Sequence, residues 1–157
     1  MLTGLLIGFL GGLAVATIAF VATVRARMIE VAPSSFATVE ETAAALENGL
    51  STVAGWSCPG TRDLNGMMAK HGVTFAPKVR LVEMCKAVYA ADVLRTDRRV
   101  ATLMPCAVAV YEDDQGKVWL SKLNLGLMGP LFGGNVGRVM GKLVAGEEKR
   151  ILAAVRK

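Results

Sequence analysis

Histidine is nearly missing from this sequence: His71 is the single one in 157 residues. That excludes a site built on a histidine cluster, and a haem held by two histidines of one chain. Cysteine is scarce too. Cys58, Cys85 and Cys106 show no CxxC, no CxxCH and no paired Cys/His spacing, which argues against structural zinc and covalent haem attachment. Three is also an odd number, which argues against a fully oxidised secreted scaffold. Aromatic residues make up 6% of the chain, and the basic residues behind the net charge of +5 are scattered. Without a basic patch interleaved with aromatics, no nucleic-acid partner is expected. No serine stands with a matching His/Asp set. The glycines at 126, 129, 133, 134 and 137 lack the preceding strand and the lysine of a phosphate-cradling loop. Charge itself is missing from residues 1–24.

That last absence shapes the chain. Leu2 to Val24 is a run of apolar and small residues. As a helix it spans about 34 Å, enough for a hydrocarbon layer of ~30 Å. A cleaved signal peptide is the competing reading. Against it stand the lack of Lys or Arg before the run, the length of the run and the lack of a small-x-small cleavage site before Arg25. Residues 1–26 are therefore expected to be a single-pass transmembrane helix and residues 27–157 one compact domain, with the lipid bilayer as partner. Arg25 and Arg27 flank the C-terminal end, so the positive-inside bias places the domain in the cytoplasm. A reducing cytosol also suits unpaired thiols. Gly4, Gly8, Gly12 and Ala16 recur every four residues. Such a row lets helix backbones approach closely and points to association, although small residues are common in any membrane helix.

In the domain, period and punctuation define the elements. Arg27–Ala32 alternates as a strand. Thr38 caps a helix over 39–54, with Glu40 and Glu41 in its first turn. A weaker helix is expected over 62–71, ended by Gly72. Then come a strand over 78–85, a helix over 87–95, a strand from Pro105 to Glu112, a turn at Asp113–Gly116 and a return strand over 117–123. Residues 124–134 combine glycine, proline and large apolar side chains. No regular helix is expected there. The segment dips into the bilayer surface, covers a pocket, forms an oligomer contact or fills the core irregularly. An apolar stripe from Val136 to Val155 closes the chain as an amphipathic helix on the sheet. Its basic side reaches lipid head groups if the domain sits close to the membrane. The order fits an α+β fold with a mostly antiparallel sheet and helices packed on one face.

Four stretches carry a family resemblance: His71-Gly72; Glu83-Met84-Cys85-Lys86; Met104-Pro105-Cys106; and Val110-Tyr111-Glu112-Asp113 with Gly116-Lys117-Val118. Asn124 and the glycine-rich stretch after it also fit. From about residue 28 to 155 the chain resembles the domain of unknown function 302 family. The resemblance implies a compact α+β fold that often assembles as a homo-oligomer. It implies no particular activity, and it does not extend to the N-terminal helix or to Cys58.

The residues that could carry chemistry are few. Cys85 ends one strand and Cys106 begins another, each with a methionine at hand, Met84 and Met104. Thiolate and thioether sulfur suit Cu(I), haem iron or sulfur transfer. Lys86 beside Cys85 would lower a thiol pKa if their side chains meet. Equally, cysteine and methionine are common core residues. His71 shares a helix face with Met67 as a ligand pair, or ends that helix with Gly72 as its cap. Glu83 falls on the face of Cys85, where burial would make it a base. Two readings follow. The first is a membrane-anchored small-ligand-binding or assembly module, oligomeric or a subunit of a membrane complex, without an evident catalytic set. The second is a thiol-based redox, sulfur-handling or metal- or haem-binding protein that uses Cys85 and Cys106.

Overall fold

A computed structural model describes the backbone from Leu2 to Lys157 and the side chains of residues 11–13 and 15–157. Helix α1 (Leu2–Arg27) runs for 26 residues and ends on Arg25 and Arg27. The expected strand at 27–32 starts later, because Arg27 still belongs to this helix; β1 is Ile29–Pro33. Among the described residues no helix is long and apolar enough to cross a membrane. Gly4 and Gly8 of the small-residue row lie outside the residues whose surroundings are described. Gly12 faces open space, and Ala16 is exposed.

Helix α2 (Val39–Thr52) follows, with the Thr38 side chain accepting from the Glu41 N–H at 3.2 Å. It buries Val39, Ala43, Leu46 and Leu50 at helical spacing. Strands β2 (Trp56–Ser57) and β3 (Thr61–Asp63) then pair with β4 (Val79–Lys86). The helix expected over 62–71 is confined to α3 (Leu64–Ala69). Asp63 supplies its cap, accepting from Gly66 N–H at 2.9 Å, so the residues before it are free to complete the edge of the sheet. Helix α4 (Ala87–Thr96) and a 3-10 turn (Arg98–Leu103) lead to β5 (Cys106–Glu112) and β6 (Val118–Leu123).

The strands form one six-stranded sheet in the order β1-β6-β5-β4-β2, with β3 also on β4, and all the described pairings are antiparallel. Alternation sorts the two faces. Cross-strand partners Val82 and Val108, and Val110 and Leu120, point into the core, where α2 lies on β4 and β5. The opposite face leaves Ile29, Val31 and Leu123 exposed.

The largest departure from expectation is the glycine-rich segment, which is helical after all. Helix α5 (Leu125–Phe132) starts at Asn124, whose side chain accepts from Leu127 N–H at 3.0 Å, and tolerates Pro130 inside. The chain reverses at Gly133 and Gly134, both at positive φ. Helix α6 (Gly134–Arg138), a π-helical stretch (Val139–Val144) and α7 (Ala145–Leu152) then run on directly. A Cβ on Gly129 would lie 2.4 Å from the Cα of Gly141. The glycines are thus the surface across which two helical backbones touch. That packing outweighs their poor helix propensity.

Candidate functional site

Alternation along β4 points Met84 into the core, and the register sets it directly against Cys106 at the start of β5. Cys85 is one residue further, on the other phase. Both thiols border a small recess with Met84, Met104, Met140 and Trp56. Four of the six residues named for chemistry in the sequence therefore meet. All three cysteines are free.

Cys106 and Met104 also border a larger cleft of about 320 Å³ at the end of the sheet. Leu81, Leu103, Pro105, Ala107, Leu123 and Leu125 make it largely apolar, and the one charged residue on its wall is Glu148 of α7. Glu148 is 2% exposed. Lys122, inward on β6, brings its Nζ to 3.0 Å from Glu148 Oε2 and 3.4 Å from Glu30 Oε2, and donates to the Leu123 carbonyl at 3.2 Å. Lys122 thus forms an ion pair with Glu148 Oε2 without an aligned hydrogen bond, and no other donor reaches this buried oxygen. Burial pushes the Glu148 carboxyl above its usual value, and Lys122 opposes this only in part.

The adjacent Glu147 behaves oppositely. Burial raises its pKa, but hydrogen bonds from Lys86, Trp56 and Tyr89 outweigh burial and hold it down to about 2. Lys86 Nζ lies 2.9 Å from Oε2, and the Tyr89 hydroxyl donates to Oε1 at 2.8 Å. Lys86 Nζ also sits 4.6 Å from the Tyr89 ring centroid. Lys86 is thus committed to Glu147, and its own pKa is raised chiefly by that hydrogen bond.

Two expected site residues lie elsewhere. Glu83 is buried but ion-paired with Arg62, tying β3 to β4, so it is not a free base beside Cys85. His71 sits in the exposed turn after α3, beyond the helix that Met67 belongs to, and Gly72 closes that turn at φ +75°. His71 borders neither the recess nor the cleft. Among the described residues no group of three or more His, Cys, Asp or Glu side chains is placed to hold a metal ion.

Cys106 has the poorest nucleophile of environments. Its thiol is pushed up to about 12, first by burial, then by the charges of Glu148 and Cys85. Alkylation near pH 8 is expected to modify it at well under a hundredth of the rate of a free cysteine, since only about one molecule in ten thousand carries the thiolate. Peptide mass spectrometry after a timed iodoacetamide pulse reads this directly. Labelling at the free-cysteine rate contradicts it.

An antiparallel sheet with helices packed on it defines a small α+β domain. Residues 30–154 match the family model described as "Domain of unknown function DUF302", and the chain belongs to that family. The match falls within the limits that the motif resemblance suggested. A crystal structure of an uncharacterized conserved DUF302 protein from Bacillus stearothermophilus is similar in fold, with a TM-score of 0.66 and 22% identity over 82% of this chain and 95% of that one. No curated protein matches the chain.

Proposed function

We propose that this protein is a membrane-tethered module that binds a small, largely apolar molecule bearing one hydrogen-bond donor. The cleft at the end of the sheet receives the molecule and Glu148 recognises it. The observation that carries the reading is the buried Glu148 carboxyl on the wall of an otherwise apolar cleft of about 320 Å³, whose Oε2 has the Lys122 ion pair but no aligned hydrogen bond. A bound N–H or O–H supplies the aligned hydrogen bond that the ion pair leaves unmade, a contribution of about 1–3 kcal/mol. The cleft lies within the size range of small-molecule sites. The uncharged run Leu2–Val24 and the arginines after it support a tether with the domain on the cytoplasmic side.

Hexylamine and hexanol are suitable probes on the full chain in uncharged detergent. Both are expected to raise the Tm, hexane much less, and Glu148→Gln to weaken hexylamine binding at least about tenfold. Equal affinity of the variant and the parent, with both folded by circular dichroism, rejects the reading.

Assembly belongs to the same reading. The row Gly4, Gly8, Gly12 and Ala16, and the exposed apolar residues Ile29, Val31 and Leu123, support self-association or docking in a membrane complex. A monomer in detergent by sedimentation removes this part. The thiol and soft-metal reading keeps one observation in its favour, the convergence of Met84, Met104, Met140, Cys85 and Cys106 on one recess. The high pKa of Cys106 weakens its redox form, and the alkylation experiment decides that form.

A further inference from the structure

Where α1 meets the domain, the structure contains a second, polar recess of about 180 Å³. Gly126, Gly141 and Gly146 form part of its lining, and a side chain at Gly146 would meet nothing within 4 Å. Its charged residues are Glu30, Lys122, Lys142 and Lys149. Glu30 and the buried Lys122 face each other and cancel. Lys142 and Lys149 are exposed, lie seven residues apart on one helical face, and make no ion pair or side-chain hydrogen bond among the described residues. The recess therefore presents two uncompensated cations.

Asn124 places this recess in the molecule. It lines the recess, and its backbone N–H donates to the Met28 carbonyl at 2.8 Å while its side-chain amide donates to the Arg27 carbonyl at 3.1 Å. Those carbonyls belong to the last residue of α1 and the residue after it, and the last turn of α1 carries the exposed Arg25 and Arg27. The wall of the recess is thus in direct contact with the end of the uncharged helix.

We propose that this recess binds the anionic phosphodiester head group of a lipid in the leaflet that α1 leaves, with Lys142 and Lys149 as the phosphate ligands. The inference rests on reading α1 as a membrane helix. If its uncharged run fills the hydrocarbon layer, Arg25 and Arg27 lie at head-group depth, and so does the recess whose Asn124 holds the Arg27 carbonyl. Charge complementarity selects an anionic head group, and proximity to the end of α1 selects a lipid over a dissolved phosphate.

The test uses the full chain in uncharged detergent, with three probes: short-chain phosphatidylglycerol, short-chain phosphatidylcholine and inorganic phosphate. Phosphatidylglycerol is expected to raise the Tm in a saturable way, and the other two are not. The double variant Lys142→Gln/Lys149→Gln is expected to need roughly thirty-fold more phosphatidylglycerol for the same shift. Lys70→Gln/Lys157→Gln, the same loss of charge at other exposed positions, is expected to behave like the parent. Equal responses to the two lipids, or an unchanged affinity in the Lys142/Lys149 variant, overturn the proposal. A shift reproduced by inorganic phosphate at the same concentration overturns the lipid assignment. An alkaline carbonate wash of membranes separates this failure from that of the tether. A chain washed free refutes the membrane reading, whereas a retained chain without lipid preference refutes only the head-group site.

Discussion

Replacing Gly129 with alanine is expected to destabilise the domain by about 3 kcal/mol, the upper end for overpacking a tight contact. The added Cβ would lie 2.4 Å from Gly141 Cα, 2.6 Å from Gly141 N and 3.2 Å from the Gly137 carbonyl oxygen. These are all backbone atoms, so no side chain can rotate out of the way, and α5 must lift off the π-helical stretch it rests on. Gly146 provides the control. It is also helical, but a Cβ there meets nothing within 4 Å. Gly146→Ala is expected to stabilise by about 0.5–1 kcal/mol through helix propensity alone. Chemical denaturation of both variants reads the opposite signs. A loss at Gly129 no larger than an ordinary surface change would mean that the two helices do not touch as described.

The second large effect concerns Glu147. Its carboxyl lies at about 2 in the folded protein against an ordinary value of 4.5, because the donors Lys86, Trp56 and Tyr89 outweigh burial. A depressed carboxyl stabilises the fold above the unfolded-state value, and that stabilisation is lost as pH falls through the folded-state value. The full shift corresponds to about 3 kcal/mol, and screening at this partly open site reduces it to about 2 kcal/mol. Glu147→Gln is therefore expected to lose about 2 kcal/mol near pH 7, with the difference from the parent closing between about pH 5 and pH 2. Urea denaturation across that range measures it. Because Glu148 titrates in both proteins, the difference isolates Glu147. A gap that stays constant with pH would assign the loss to packing instead of charge.

Much of the sheet was legible because its signals were local and agreed. The β5–β6 hairpin combines alternating strands with a turn in which Asp113 Oδ1 accepts from the Gln115 and Lys117 N–H groups at 2.9 Å and Gly116 takes positive φ. Helix α2 showed its cap and its stripe. Helix α5 was illegible because glycine and proline argue against a helix locally, and the contact that rescues it comes from residues 137 and 141 in another element. Met84, Cys85, Met104 and Cys106 share one recess because cysteines at the end of one strand and the start of its neighbour fall at one end of a sheet. Glu83 and His71 lie apart from that recess, because their surroundings are set by Arg62 and by where α3 stops, which no local pattern shows.

Glu147 and Glu148 were missed although a signal existed for one of them. Glu148 falls four residues after Val144 and three before Ile151, inside the apolar stripe, and Lys122 falls on the inward phase set by Val118 and Leu120. Two charges of opposite sign on core-facing phases predict a buried pair. For Glu147 the signal is weaker, since its donors come from two distant stretches of chain, Trp56 and Lys86 with Tyr89.

Only Met28 separates the last residue of α1 from the first of β1. One residue extends at most about 3.6 Å, so a domain tethered in this way has almost no leash. On the proposed membrane tether it could not rise from the surface to sample the solution, and its encounters would be confined to a thin layer in which partners arrive sideways by lateral diffusion. Binding under those conditions becomes a two-dimensional search in which crowding within the plane replaces bulk concentration as the governing variable.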